Sequence, residues 1–283
     1  MCANFTAMNA HAHTSHRLAV PTDHCQASTP PSRLATEPLG DSPVLSASWV
    51  RHTSELREAQ RLRFDVFGRE MGAQLKTPIA GHDIDLFDDF CEHLLVRDER
   101  TQRVVGTYRL LTPVQAKRVG SYYSDMEFDL TRLRFLREHM VELGRSCVHA
   151  DYRHGGVIMM LWSALAQFMQ SNQLRWMMGC ATVPMKSTGA AYGHEAASIW
   201  RQAFNRHAAP IEHQVRPRLA LPIEHLDQTL AVEPPALIKG YLRLGAKVLG
   251  EPAWDPDFDA ADLPMLMCLD HLPTRYRKHL LGQ

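Results

Sequence analysis

The sequence predicts an α/β fold organised around a mixed sheet, and three observations carry that prediction. Apolar residues recur at helical spacing over residues 55–71. Two short strand-like runs then flank a polar turn, over 93–97 and 104–111. Finally, a strand runs through paired glycines into a long apolar helix and a further strand, over 141–183. A bundle would lack the short runs and a sandwich would lack the long helix, so sheet and helices must share one core.

Each element follows from its local pattern. Residues 1 to about 46 are rich in Ser, Thr, Pro, His and Ala without periodicity, which predicts a disordered polar tail. His11, His13 and His16 within it have metal-binding chemistry, but the composition reads as a solvated tail. Ser54 is placed as the N-cap of a helix whose apolar face is Leu56, Ala59, Leu62, Phe64, Val66 and Phe67. An acidic, irregular stretch at 81–92 leads into the hairpin, whose turn is 98–102. Residues 118–137 mix loop and helix. A strand over 141–150 enters the glycine turn, a helix covers 157–170, and a strand over 175–183 ends at Pro184. Helix is expected over 190–207, a polar, Pro-rich stretch over 210–235, and helix over 236–249, interrupted by Gly240 and Gly245. The apolar run 263–269 predicts a buried strand, and 274–281 a short basic helix. The expected organisation is one domain over 47–283, with a C-terminal extension from about 210.

Composition removes several functional classes. A chain of 283 residues with 45% hydrophobic and 22% charged residues can bury a sizeable core. Lys+Arg and Asp+Glu are both 31, so no overall field favours nucleic acid. The cysteines (Cys2, Cys25, Cys91, Cys147, Cys180, Cys268) are scattered without CxxC or zinc-type spacing, so free thiols and no metal are expected. No apolar stretch approaches the roughly 20 residues of a membrane helix, and the N-terminus lacks a signal-peptide apolar region. A cytoplasmic protein is expected.

The most informative stretch is residues 142–156, ELGRSCVHADYRHGG. A strand that turns through Gly155 and Gly156 into a helix aims backbone N–H groups and the positive end of the helix dipole at the space above it. Missing side chains let a phosphate approach there. The same turn also serves a purely structural end, a left-handed residue before a helix.

Arg153-x-x-Gly156 after a strand and opening a helix resembles motif A of the GNAT acyltransferases. Leu62–Phe67, the acidic 83–89 stretch, 105–111 (VGTYRLL) and Glu142-Leu143-Gly144-Arg145 are similar, in the same order, to blocks of acyl-homoserine-lactone synthases. Leu161-Trp162, Gly179-Cys180-Ala181, 240–246 (GYLRLGA) and 251–258 (EPAWDPDF) resemble L-ornithine N-acyltransferases, often labelled hemolysin-like. The resemblance covers about residues 55–281. It implies a GNAT-like, mostly antiparallel central sheet flanked by helices. It also implies transfer of a 3-hydroxyacyl group from acyl carrier protein to the α-amine of ornithine, with no tightly bound cofactor. Motif A has Gly or Ala where this chain has Ile158, and the branched side chain turns the expected donor from coenzyme A to acyl carrier protein. Coenzyme A and other amino-acid acceptors stand as alternatives, and a membrane-active protein as an alternative of another class.

Aminolysis assigns the roles. The acceptor ammonium must lose a proton before attack, and Glu142 is the candidate base, directly or through water. The competing reading makes Glu142 a structural partner of Arg145 or Arg109. Arg63, Asp85, Arg109 and Arg145 are the expected substrate-binding set, and Arg153, Gly155 and Gly156 the phosphopantetheine-binding set. Oxyanion donors are expected from N–H groups near Cys147 to His149. Cys147 itself is set aside as a nucleophile because transfer is expected to be direct. The acidic stretch reads as a solvated loop, a divalent-metal site, or ion-pair partners for Arg63 and Arg109, the last favoured for Asp85. Arg132, Arg134, Arg137 and Arg153, with Lys117 and Arg118, are candidates for the carrier-protein face. The terminal Arg275-Tyr276-Arg277-Lys278 is a candidate for transient contact with the inner-membrane surface.

Overall fold

A computed structural model describes residues 43–281; residues 1–42 and 282–283 lie outside the described residues, and with them most of the expected polar tail and its three histidines. The first half contains β1 (Leu45–Trp49), α1 (Thr53–Arg63), β2 (Glu92–Asp98), β3 (Arg103–Leu111), α2 (Pro113–Val119), the short α3 (Ser124–Glu127) and β4 (Phe128–Asp129). Then come β5 (Met140–Val148), α4 (Gly156–Ser171), β6 (Trp176–Pro184), α5 (His194–His207) and β7 (Arg216–Pro217). The chain ends with α6 (Ala236–Arg243), β8 (Lys247–Val248), β9 (Ala253–Asp255), β10 (Ala260–Cys268) and α7 (Thr274–Leu281). The main sheet is ordered β1-β2-β3-β5-β6-β10-β8, with β9 against β10, while β4 and β7 form a separate ribbon. Every pairing in it is antiparallel except β5 with β6.

Alternation along β2 and β3 divides the core between two faces. Leu94, Val96 and Val105 pack under α4 with Val157, Leu161 and Leu165, whereas Leu95 and Val104 pack with Ala59 and Leu62 of α1. Gly106 permits the close seating of α4, because a Cβ there would lie 2.4 Å from Val157 Cγ1. At the mouth of α4, Gly155 has φ 102°, a left-handed conformation that side chains disfavour.

Several expectations needed adjustment. The first helix starts at Thr53 with His52 as N-cap, not at Ser54, because Glu55 reaches back to accept the N–H groups of Arg51 (2.8 Å) and His52 (3.2 Å). Its predicted continuation to Met71 is wound as a π-helix over Phe64–Glu70. The helix expected over 236–249 ends at Arg243; Gly245 has φ 95°, and Lys247–Val248 join the sheet. β1 (LSASW) is a strand that no local apolar pattern predicts. The region beyond residue 210 is no appendage to the sheet, since β10 pairs along nine residues of β6.

The parallel pair makes the opening. β5 and β6 pair only at Met140–Trp176, Val141–Met177 and Glu142–Met178, and then separate. A bulge sends β5 on its own course: Arg109 faces Gly144 and Thr107 faces Cys147, so two steps on β3 meet three on β5. The bulge carries Arg145 at φ 51°, a backbone region uncommon for a residue with a side chain.

Candidate active site

The diverging strands enclose a cavity of about 560 Å³, lined along one side by Glu142–Val148 of β5 and along the other by Met178–Thr182 of β6. Its wall is predominantly apolar, with Trp162, Leu237, Met265 and Met267 among the lining residues. Its polar groups converge from β3, β5, the 122–124 loop and the β9–β10 hairpin.

A cage of alternating charge supports one side. Arg63 is fully buried; its Nε donates to Asp83 Oδ2 at 2.7 Å, and its Nη1 and Nη2 each donate to Asp88 at 2.9 Å. Arg109 Nη1 donates to Asp85 Oδ1 (2.6 Å) and Asp88 Oδ1 (2.9 Å). Arg145 Nη2 donates to Asp85 Oδ2 at 3.2 Å, and its Nε lies 3.2 Å from Asp83. Gln60 completes the cage by donating to Asp88 Oδ2 at 2.9 Å. Burial alone would raise the Asp85 and Asp88 carboxyls, but the guanidinium charges (Arg109 then Arg145 at Asp85, Arg63 then Arg109 at Asp88) outweigh it and hold both below the usual range. The acidic stretch is therefore occupied by arginines. Among the described residues no group of three or more His, Cys, Asp or Glu is placed to hold a metal.

The predicted substrate-binding residues divide accordingly. Arg109 and Arg145 line the cavity, whereas Arg63 and Asp85 lie behind them. Arg145 is flanked by the rings of Tyr123 and Phe258, at 5.2 and 5.0 Å from their centroids.

Glu142 lines the cavity and is 5% exposed. One carboxylate oxygen accepts the N–H of Tyr123 and the other that of Ser124, both at 2.6 Å. It makes no ion pair with Arg145 or Arg109 within 4 Å, so its structural partner is the 122–124 loop rather than an arginine. Burial raises its carboxyl, against the opposing pull of the Ser124 and Tyr123 hydrogen bonds and Arg109. Burial also pushes the Cys91 thiol up to about 12 and raises those of Cys147 and Cys180, so none is a ready thiolate. Of the N–H groups considered as oxyanion donors, that of His149 is already committed to Val105 O at 2.8 Å.

At the other end, Arg153, Gly155 and Ile158 line the cavity, with Gly156 just outside the lining at the first turn of α4. Arg153 donates from Nε to Val148 O (3.0 Å) and from Nη2 to Glu70 Oε2 (2.5 Å), tying the mouth to the end of the π-helix. Elsewhere, Arg132 holds Ile211 O at 2.8 Å and Arg137 is paired with Asp125, while Arg134 lies over the 77%-exposed Phe135. Lys117 and Arg118 are exposed.

A model of the acetyltransferase (GNAT) domain matches residues 62–163. The L-ornithine N(alpha)-acyltransferase of Rhodobacter capsulatus is 35% identical over 81% of this chain and 92% of its own length. The chain belongs to that family. The Brucella abortus L-ornithine N(alpha)-acyltransferase is 32% identical over 84% of this chain and 89% of its own. The crystal structure of the AHL synthase LasI aligns at TM-score 0.49 and 14% identity over 86% of this chain and 96% of that one. The protein is thus an N-acyltransferase built on the GNAT fold, an enzyme of the ornithine-acyltransferase family.

Sequence reasoning missed a second set of cavity residues. Asp255 and Asp262 line the chamber and are 8% and 4% exposed. Asp262 Oδ1 accepts from the Thr182 hydroxyl at 2.8 Å, and Asp255 Oδ1 accepts the N–H groups of Asp257 (2.9 Å) and Phe258 (3.1 Å). Burial, then the neighbouring Asp255 charge, push the Asp262 carboxyl up to about 6. Glu127 is pushed up to about 7 by burial and these same two carboxylates. Asp255 lies within the 251–258 block, and the sequence signal for Asp262 was a carboxylate immediately before an apolar strand run. In this acyltransferase no described helix is long and apolar enough to cross a membrane. α7, which carries the terminal basic residues, turns Tyr276, Leu280 and Leu281 into the core beneath α4.

Proposed function

We propose that the protein transfers a 3-hydroxyacyl group from acyl carrier protein to the α-amine of L-ornithine, the first step of ornithine-lipid synthesis, in the cytoplasm. The observation that carries this reading is the charge layout of one largely apolar cavity. Two arginines stand on one side and two buried carboxylates, without an ion-pair partner among the described residues, on another, which suits an amino acid bearing an extra cationic group beside an acyl chain. Arg109 and Arg145 take the ornithine carboxylate, held in place by Asp85 and, behind it, Arg63. Asp255 and Asp262 take the side-chain ammonium.

Glu142 accepts the proton that the α-ammonium must lose, directly or through a water. The freed nitrogen attacks the thioester carbonyl, the C–N bond forms, and the C–S bond breaks. The phosphopantetheine thiolate leaves and takes up a proton. We assign the oxyanion to N–H groups of the β5 bulge, where Arg145 and Ser146 fall between the Arg109–Gly144 and Thr107–Cys147 pairs. Arg153, Gly155 and Gly156 receive the phosphopantetheine phosphate at the start of α4, and Ile158 narrows that mouth. Arg132, Arg134, Arg137, Lys117 and Arg118 supply positive charge for the acidic carrier protein.

The test is to incubate purified protein with 3-hydroxyacyl carrier protein, or 3-hydroxyacyl coenzyme A, and a panel of amino acids, and to detect N-acyl products by mass spectrometry. N-acylornithine from the carrier-protein donor is expected. A different preferred amine, or preference for coenzyme A, would replace the corresponding half of the assignment. No product together with release of dye from liposomes would replace it with a membrane-active protein.

A further inference from the structure

Three hydroxyl groups meet on the otherwise apolar wall of the cavity, and nothing in the acceptor chemistry above uses them. Tyr108 is on β3 and 2% exposed, Tyr241 is on α6, and Ser146 is on the β5 bulge; all three line the chamber. The two phenol oxygens are hydrogen-bonded to each other, and the Ser146 side chain interacts with both. Around them stand Leu143, Trp162, Met177 and Met267.

A hydroxyl on an otherwise apolar wall forgoes water and needs polar partners, and each of these three finds them in the other two. A phenylalanine at position 108 or 241 would fill the same wall with no such demand. The three elements that carry the hydroxyls are far apart in sequence, so their meeting is a product of the fold. Ser146 directly follows Arg145, which sets the trio beside the acceptor end of the chamber.

The chemistry of the trio selects its ligand. Three hydroxyls hold three protons against six lone pairs, so contacts among themselves leave acceptor capacity over. A ligand that brings a proton fills it. An acyl-chain hydroxyl does so, whereas a ketone offers only acceptors and a methylene offers neither. Burial pushes the Tyr108 phenol up to about 12 and holds that of Tyr241 well above its ordinary value, so both remain neutral hydroxyls at working pH.

We infer that Tyr108, Ser146 and Tyr241 form a specificity subsite that reads a hydroxyl group on the acyl chain close to the thioester. This rests on the acyl-transfer reading and deepens it by naming residues for the 3-hydroxyl. Their side chains act as specificity groups, reading the acyl chain and taking no part in the proton transfer.

The test is a competition between equimolar 3-hydroxyacyl, 3-oxoacyl and unsubstituted acyl carrier proteins of one chain length, scored as the ratio of N-acylornithine products. The wild type is expected to favour the hydroxylated donor by about tenfold or more over each of the others. Tyr241→Phe and Ser146→Ala should each cut that ratio at least about fivefold, whatever they do to total rate. In parallel, calorimetric titration with a matched 3-hydroxylated and unsubstituted fatty acid reads the same preference without any transfer step. Product ratios and relative affinities within twofold of wild type in both folded variants would overturn the subsite, as would a wild type without preference. Absence of transfer with a preserved binding preference would instead overturn the acyl-transfer reading and leave the subsite standing.

Discussion

Replacing Asp262 by Asn separates a carboxylate kept for binding from one kept for stability. The side chain is 4% exposed and its carboxyl is pushed up to about 6 from an ordinary 3.8, by burial first and by Asp255 second. A carboxyl raised on folding holds a proton in the native state that the unfolded chain has already released. Its penalty is therefore absent below about pH 4, grows as pH rises towards 6, and is constant above that. The displacement corresponds to roughly 3 kcal/mol, and access of cavity water lowers this to about 1–3 kcal/mol. Asparagine keeps an acceptor for the Thr182 hydroxyl and never ionises. Asp262→Asn should thus match wild type near pH 4 and exceed it by about 1–3 kcal/mol at pH 8, measured by urea unfolding across that range. KM for ornithine should rise about tenfold or more, because the variant loses a charge partner for the ammonium. A stability difference that does not change with pH, or a variant less stable at pH 8, would refute the electrostatic argument. Unchanged KM would refute the binding role.

Other substitutions probe the remaining layers. Glu142→Gln should lower kcat by about 10²–10⁴ and abolish the acid limb of the kcat/KM profile, as loss of a general base requires. Its melting temperature should also fall, since glutamine offers one acceptor where Tyr123 and Ser124 N–H groups occupy two oxygens. Arg63→Met leaves Asp83 and Asp88 buried with reduced compensation and should cost about 3–5 kcal/mol by chemical denaturation. Gly106→Ala should cost about 1–3 kcal/mol, because the new methyl meets Val157 Cγ1 at 2.4 Å. Asp85 and Asp88 are held below their ordinary range, so their contribution is present above about pH 4 and lost as pH falls through their folded values. Acid titration followed by circular dichroism should show cooperative loss there, and Arg63→Met should shift the midpoint to higher pH.

The layers differ in how far local pattern could expose them. β5, the glycine turn, α4 and β6 were legible because each is decided within about ten residues, by an apolar run or by Gly155 and Gly156. β1 was not, because Leu45-Ser-Ala-Ser-Trp49 is short, half serine-and-alanine, and made a strand by pairing with β2. Asp85, Arg109 and Glu142 could be singled out because recognisable blocks contain them. Asp262 could not, because its place in the cavity wall is created by β10 pairing with β6, which brings Asp262 opposite Thr182 across 80 positions of sequence. Ser54 lost the cap to His52 because a nearby Glu55 could close back on the preceding N–H groups, a competition of two local signals that spacing alone leaves open.

The two charged regions of the cavity differ in a way that bears on the acceptor. In the cage, Arg63, Arg109 and Arg145 face Asp83, Asp85 and Asp88, so the charges cancel and the arrangement is stable without a ligand. Glu142 has no ion pair but has two backbone N–H groups on its oxygens. Among the described residues, Asp255 and Asp262 have neither an arginine nor a lysine within ion-pair distance, and their mutual repulsion helps raise Asp262. An acceptor with a single amine, consumed in the reaction, would leave that pair uncompensated through the whole cycle. In the proposed reaction, an acceptor with a second ammonium would compensate it in the substrate and product complexes alike, with its carboxylate at the cage arginines. The proposed choice of a diamino acid over a monoamino acid rests on that difference.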